Sequence, residues 1–203
     1  MSIAQTAPKG QDPKRQRGHI RVAAIMQAGT ELFTEKGYDA TTMTEIASRS
    51  GTATASLYRF FPTKESLAEA LLVRFAEHVL DELSALAARA QSMTPRDVAD
   101  AFVDFSFSLY LERRFAVKLA EAGGASDEQR NQLRAAMLDR VAKMLRELIP
   151  SLPRARSGAM AAVLMMIFRS IGGIGDLKPA DQRAILKETK EMIRLYLSDA
   201  AAT

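Results

Sequence analysis

The chain has 203 residues, 47% of them hydrophobic, with a formal net charge of +4 and no cysteine. That is enough apolar material for one domain, or for a small domain joined to a larger one. The lack of cysteine excludes disulfides and thiolate chemistry. His19 and His78 are far apart and stand in no metal-ligand pattern. The sequence also lacks a phosphate-binding loop, a Gly-x-Ser-x-Gly elbow and a zinc motif, and it has no dinucleotide fingerprint in a strand context. An enzyme is therefore not expected, and neither is a cofactor.

Ala, Leu, Arg, Glu and Met dominate, and runs rich in Val, Ile and Thr are scarce, which predicts an all-α protein. Met1 to Arg21 holds five cations against one aspartate, an excess equal to that of the whole chain. Such an arm suits an anionic partner such as nucleic acid; a solvated tail has the same composition. The N-terminus carries no secretory signal. The longest apolar run, Ala159 to Phe168, is too short to span a bilayer and stops at Arg169. The expectation is a cytoplasmic protein with no membrane partner.

In chain order, residues 1–17 contain Pro8, Gly10 and Pro13 and are expected to be a disordered basic arm. Ile25, Ala28, Gly29, Leu32 and Phe33 then form one helical face, ending near Lys36-Gly37. Thr42-Met-Thr-Glu45 fits a capping box and opens a short helix through Ile46 and Ala47, closed by Ser50-Gly51. Another short helix runs from about Ala53 to Phe60, where Pro62 ends it. Thr63 caps a long helix with the stripe Leu67, Leu71, Phe75, Val79, Leu83 and Leu86, reaching to about Arg89.

Further helix starts follow at Thr94-Pro95 and at Ser126-Asp-Glu-Gln129. A nearly uncharged helix covers about Ala155 to Ile171, and a last one follows Pro179. The total is about nine helices. The domain expectation is an arm over 1–17, a DNA-binding domain over 18–65 and a helical ligand-binding and dimerisation domain over 66–203.

The two short helices around Gly51, braced by the helix before them, have the form of a helix-turn-helix. The second would enter a DNA major groove. Its outward side carries Thr54, Ala55, Ser56, Tyr58 and Arg59. Hydroxyls on Ser56 and Tyr58 suit phosphate oxygens, and the Arg59 fork suits a guanine edge. Lys64, in the first turn of the long helix, is a further phosphate candidate. Geometry alone leaves a second reading open, a helical hairpin whose rings are only core.

The line Ile25-x-x-Ala28-x-x-x-Leu32-Phe33-x-x-x-Gly37-Tyr38-x-x-Thr41-Thr42-Met43-x-x-Ile46-Ala47-x-x-x-Gly51 is followed by Ser56-Leu57-Tyr58-x-x-Phe61-x-x-Lys64-x-x-Leu67. Together they resemble the DNA-binding domain of TetR-family transcriptional regulators, over about residues 20 to 70. The resemblance implies a homodimer that reads an inverted-repeat operator in double-stranded DNA, usually as a repressor that a small effector releases. It implies phosphate contacts at Thr42, Tyr58 and Lys64, and groove-facing roles at Thr54, Ala55, Ser56 and Arg59. Many relatives have an apolar residue where Thr52 stands and a Ser or Thr cap where Ala53 stands. Thr52 is thus a candidate cap as well as a candidate contact.

Beyond about residue 70 the resemblance is one of architecture. Phe102, Phe105, Tyr110, Met137 and Met144, with His78 as a polar contact, are candidates for a pocket that takes a lipophilic or aromatic ligand; a stripe of this kind is also what a plain core looks like. Ala159, Ala162 and Met166, with Ile185, Thr189, Met192, Ile193 and Tyr196, are candidates for a four-helix dimer interface. The competing function is a helical small-molecule or lipid-binding protein without a DNA role. The expected mechanism is a population shift in which an effector draws the dimer away from its DNA-reading form, coupled through the long helix after Thr63.

Overall fold

The computed structural model describes residues 13–202 apart from 125 and 172. These residues form nine α-helices and no strand. They are α1 (Pro13–Lys36), α2 (Met43–Arg49), α3 (Thr54–Phe60), α4 (Lys64–Ala90), α5 (Pro95–Ser108), α6 (Tyr110–Leu119), α7 (Asp127–Leu148), α8 (Arg154–Ile171) and α9 (Pro179–Ala202). A π-helical turn, Ala120–Gly124, follows α6, and a short 3₁₀ turn, Ile174–Asp176, lies between α8 and α9. The all-α expectation holds.

Part of the arm expected over residues 1–17 is helical. α1 starts at Pro13, so residues 13–17 are helical, with proline in the first position where its missing N–H costs nothing. Residues 1–12 of the arm lie outside the described residues.

The chain divides into two compact units, the first reaching to Leu71 and the second starting at Leu72, within α4. In the first unit, Ile25, Ala28, Leu32 and Phe33 of α1 are buried, as are Ile46 and Ala47 of α2, Leu57 of α3, and Leu67 and Ala68 of α4. α1 comes so close to α4 that a Cβ on Gly29 would lie 3.0 Å from Leu67 Cδ2. Any larger residue there would press on the Leu67 side chain. Between α2 and α3 the chain turns at Gly51, whose φ of 61° lies in the left-handed region that glycine adopts without a Cβ clash.

The capping chemistry is local and follows the sequence. Thr42 accepts from the Glu45 amide while the Glu45 carboxylate reaches back to the Thr42 amide. Thr94 with Asp97, and Ser126 with Gln129, repeat the same reciprocal pair at α5 and α7. Each box satisfies amides that a helix start would otherwise leave unpaired.

The second unit is built on α7 packed along α8 and α5 packed along α9. Its core draws Val98, Phe102 and Val103 from α5, Val141, Met144 and Leu145 from α7, Met160, Leu164 and Phe168 from α8, and Ile193 and Leu197 from α9. The rings of Phe102 and Phe105 lie 6.4 and 6.1 Å from that of Phe168.

One expectation from the apolar run is corrected. Arg154–Asp176, with a mean hydropathy of 1.6, is long and apolar enough to cross a membrane by length and composition. In the structure α8 is a core helix on one side, burying Ser157, Met160, Ala161, Leu164, Met165, Phe168 and Ile171. Much of its other side is exposed.

Candidate nucleic-acid interface

The first unit is a helix-turn-helix held by polar contacts as well as by its core. Arg49, at the end of α2, meets Glu35 of α1 in two parallel bonds, Nη1 to Oε1 at 2.8 Å and Nη2 to Oε2 at 3.0 Å. Glu31 lies 3.5 Å from the same guanidinium. At the other end of α2, Glu45 pairs with Lys36. That ammonium, together with the amide and hydroxyl of Thr42, holds the Glu45 carboxyl at about 2, against an ordinary 4.5. Charge thus anchors α2 to α1 at both ends.

α3 stands on this base with one face inward. Leu57 is fully buried and Phe61 nearly so. Thr54, Ala55 and Arg59 are exposed, and Tyr58 is 45% exposed. Four of the side chains expected to face the groove or the phosphates are therefore at the surface. The Arg59 guanidinium sits 5.8 Å from the Phe60 ring, which holds it along the helix without neutralising it.

Ser56 is only half-exposed, and its hydroxyl accepts a bond from Arg21 Nη1 of α1 at 3.4 Å. Sequence reasoning placed Arg21 in a diffuse basic arm. The structure sets it at the edge of the outward face of α3, and the local excess of cations was the only signal for it.

Two expected contacts are placed differently. Thr52 is 8% exposed, in the turn, and its amide donates to the Ala47 carbonyl at 2.9 Å. It does not cap α3: the capping position falls on Ala53, which makes no side-chain cap bond. Once the turn folds back on α2, the Thr52 hydroxyl is drawn inward, its nearest acceptor the Ser50 carbonyl at 3.5 Å.

Lys64 points back toward the α1–α2 turn. Its Nζ donates to the carbonyls of Tyr38 at 2.8 Å, Thr41 at 3.1 Å and Asp39 at 3.3 Å. It also lies 4.3 Å from the centre of the Tyr38 ring. Tyr38 in turn donates from its hydroxyl to Glu65 Oε1 at 3.1 Å. Burial, and then the Glu65 carboxylate, push the Tyr38 phenol up to about 12.

In the second unit, the candidate pocket residues differ in burial. Phe102 and Met144 are fully buried, Met137 nearly so, Phe105 and Tyr110 are half-buried, and His78 is exposed. Tyr110 donates to Asp176 at 2.5 Å, beside Arg114. A groove of about 540 Å³ does run between α5 and α9, and Arg96, Asp100, Asp104, Arg183 and Lys187 stand in its walls. None of the six candidates lines it.

The candidate dimer residues mostly lie at the surface. Ala159, Ala162, Val163 and Met166 expose one side of α8, and Ile185, Met192, Leu195 and Tyr196 one side of α9. Met166 is 59% exposed and Met192 52%. Ile193 is instead a core residue, at 1% exposure. Thr189 is half-buried, its hydroxyl bonded to the Ile185 carbonyl at 2.8 Å.

Residues 25–71 match the family model of bacterial regulatory proteins, tetR family. The chain is 35% identical over 100 residues to the HTH-type transcriptional repressor Rv3405c of Mycobacterium tuberculosis, covering 49% of this chain and 50% of that protein. It is 27% identical over 115 residues to the uncharacterised HTH-type regulator YvdT of Bacillus subtilis, covering 57% of each. The chain thus spans about half the length of the curated relatives it matches. Among solved structures, a TetR/AcrR-family regulator from Thermobifida fusca has a TM-score of 0.66 at 22% identity, over 86% of this chain and 96% of that one. A SmeT–triclosan complex has a TM-score of 0.62 at 20% identity, over 89% and 90%. At these identities the likeness is one of fold.

Proposed function

We propose that this chain, through its residues 25–71 a member of the tetR family of bacterial regulatory proteins, is a cytoplasmic DNA-binding transcriptional regulator that answers to a small ligand. The observation that carries the reading is the division of α3. Leu57 is buried while Thr54, Ala55, Tyr58 and Arg59 stand exposed on its other side. A helix fixed in this way offers a guanidinium fork for a guanine edge and a phenolic hydroxyl for a phosphate oxygen. Thr42, at the start of α2, is exposed as well, with its hydroxyl bonded to Glu45 at 2.8 Å.

The regulator acts as a homodimer. The exposed apolar sides of α8 and α9 supply a self-complementary surface, and two such helices from each copy make a four-helix contact. A two-fold pair sets its reading helices about 34–36 Å apart, so the operator is an inverted repeat. The effector is a small lipophilic or aromatic molecule, taken up by the second unit in a form that opens space beside Phe105 and Tyr110. The SmeT structure, a complex with triclosan, supports that ligand class by likeness of fold. Binding there disfavours the DNA-reading form and releases the operator, with α4 passing from one unit into the other as the coupling element. The action is repression.

A mobility-shift titration against a genomic fragment library, at two salt concentrations, tests this reading. Affinity for the selected fragment falls steeply as salt rises, because Arg and Lys contacts displace counterions from the phosphates. A helical ligand-binding protein without a DNA role retains no fragment at either salt.

A further inference from the structure

Lys64 is the residue whose surroundings differ most from its expected role. A lysine ammonium has three protons and no acceptor. Here three carbonyl oxygens, those of Tyr38, Asp39 and Thr41, lie within hydrogen-bond distance of Nζ. The Tyr38 ring lies against the same ammonium, its centre 4.3 Å from Nζ. The ammonium is thus turned into the fold and matched by as many acceptors as it has protons.

The three carbonyls belong to one short stretch, the turn from α1 to α2, and Thr41 directly precedes the α2 cap Thr42. Lys64 is the first residue of α4. The hydroxyl of Tyr38 crosses the same gap in the other direction, to Glu65. The first turn of α4 is therefore tied to the turn before α2 at two neighbouring points, one cationic and one anionic. The Tyr38 ring, 5.3 Å from that of Phe33, seats both on the core. Thr63 and Ser66 bond reciprocally and fix the start of α4 itself.

We infer that Lys64 is a positioning residue rather than a phosphate ligand: with Tyr38 and Glu65 it clamps the start of α4 to the α1–α2 turn, so that a displacement of α4 carries Thr42 and α2 with it. This rests on the regulatory reading above and gives it a named joint. The chemistry is specific to an ammonium. Three carbonyls converge on one nitrogen, a tetrahedral donor, and the flat fork of arginine cannot address them from one point.

The test uses the full chain and the variants Lys64→Met, Lys64→Arg and Tyr38→Phe. Amide hydrogen exchange requires no DNA and reads the clamp directly. Lys64→Met and Lys64→Arg speed exchange at least several-fold from Thr41 to Ile46, and leave α8 unchanged. Tyr38→Phe produces a smaller effect at the same amides, and adding it to Lys64→Met gives less than the product of the two. Unchanged exchange from Thr41 to Ile46 in Lys64→Met overturns the clamp. Uniformly faster exchange in both units would also overturn it, since that is general destabilisation.

The second measurement separates clamp from phosphate contact. Binding of sheared genomic duplex is followed against salt. Loss of one phosphate contact flattens the log–log slope by about 0.9, and arginine restores such a contact. A clamp leaves the slope of Lys64→Met unchanged while affinity falls at every salt, and Lys64→Arg does not rescue it. A flattened slope with full rescue by arginine contradicts the inference. If the unaltered chain ignores duplex DNA, the regulatory reading fails and the exchange result still decides the clamp.

Discussion

Arg49 of α2 and Glu35 of α1 meet fork to fork, with bonds of 2.8 and 3.0 Å, and Glu31 flanks the same guanidinium. The carboxylates hold the Arg49 pKa above its ordinary value, and Arg49 lowers that of Glu35. The pair is solvent-exposed, so its contribution is small and screened by salt. Arg49→Ala should lower the melting temperature of the first unit slightly at low salt. The gap to the unaltered chain should close as salt is added, in melts followed by circular dichroism. A salt-independent gap would mean that the arginine acts through packing of its stem instead.

Arg59→Ala should leave the helix content and the melting temperature as they are, since the side chain is exposed and lies outside the core. Its effect falls on recognition. A bidentate contact to guanine is worth about 1–3 kcal/mol, so affinity for a selected operator should drop by about fivefold to a hundredfold or more, with little change for unrelated duplexes. Anisotropy titrations on both kinds of duplex check this. Equal loss on both would reduce Arg59 to a phosphate contact.

The exposed faces of α8 and α9 give a separate prediction. Met166→Lys combined with Met192→Lys places cations in the middle of the proposed interface, at positions 59% and 52% exposed in the single chain. Sedimentation should report a monomer for this variant and a dimer for the unaltered chain, with helix content preserved. A monomer for both removes the interface from these faces. Partition of the unaltered chain into detergent micelles would instead favour a membrane for α8.

Acid provides a fourth test. Glu45 is ordinarily protonated near 4.5 but in the fold only near 2. A carboxyl with a depressed folded pKa contributes stability above its ordinary value and loses it as pH falls toward the folded one. The first unit should therefore lose stability from pH 4.5 down to about 2. Asp97 and Glu191 shift in the same direction, so the whole chain shares part of the trend. Glu45→Gln isolates one group: its melting temperature should start lower at neutral pH and approach that of the unaltered chain at the acid end. A constant gap across the range contradicts the assignment.

What could be read from the sequence was whatever depends on near neighbours. The partners of the Thr42–Glu45 and Ser126–Gln129 boxes lie three positions apart and were visible as written. So was the division of α3, because Leu57 and Arg59 differ in kind and lie on different sides of a helix. The partners of Lys64 lie 23–26 residues back along the chain, and nothing at Lys64 points to them. Thr52 lost its capping role to a turn whose course is set by α2. On α9, Met192 and Ile193 are adjacent and both apolar; only the packing of α5 decides that Ile193 is covered and Met192 is not. The same ambiguity put the core residues Phe102 and Met144 among the pocket candidates.

The most direct test of the account is a selection of genomic fragments on the purified chain, followed by an affinity titration of the enriched duplex at low and high salt. A two-fold regulator enriches an inverted repeat, binds it with two copies, and loses affinity steeply between the two salts. Recovery of no sequence above background, with the chain folded and its α3 face intact, would contradict it.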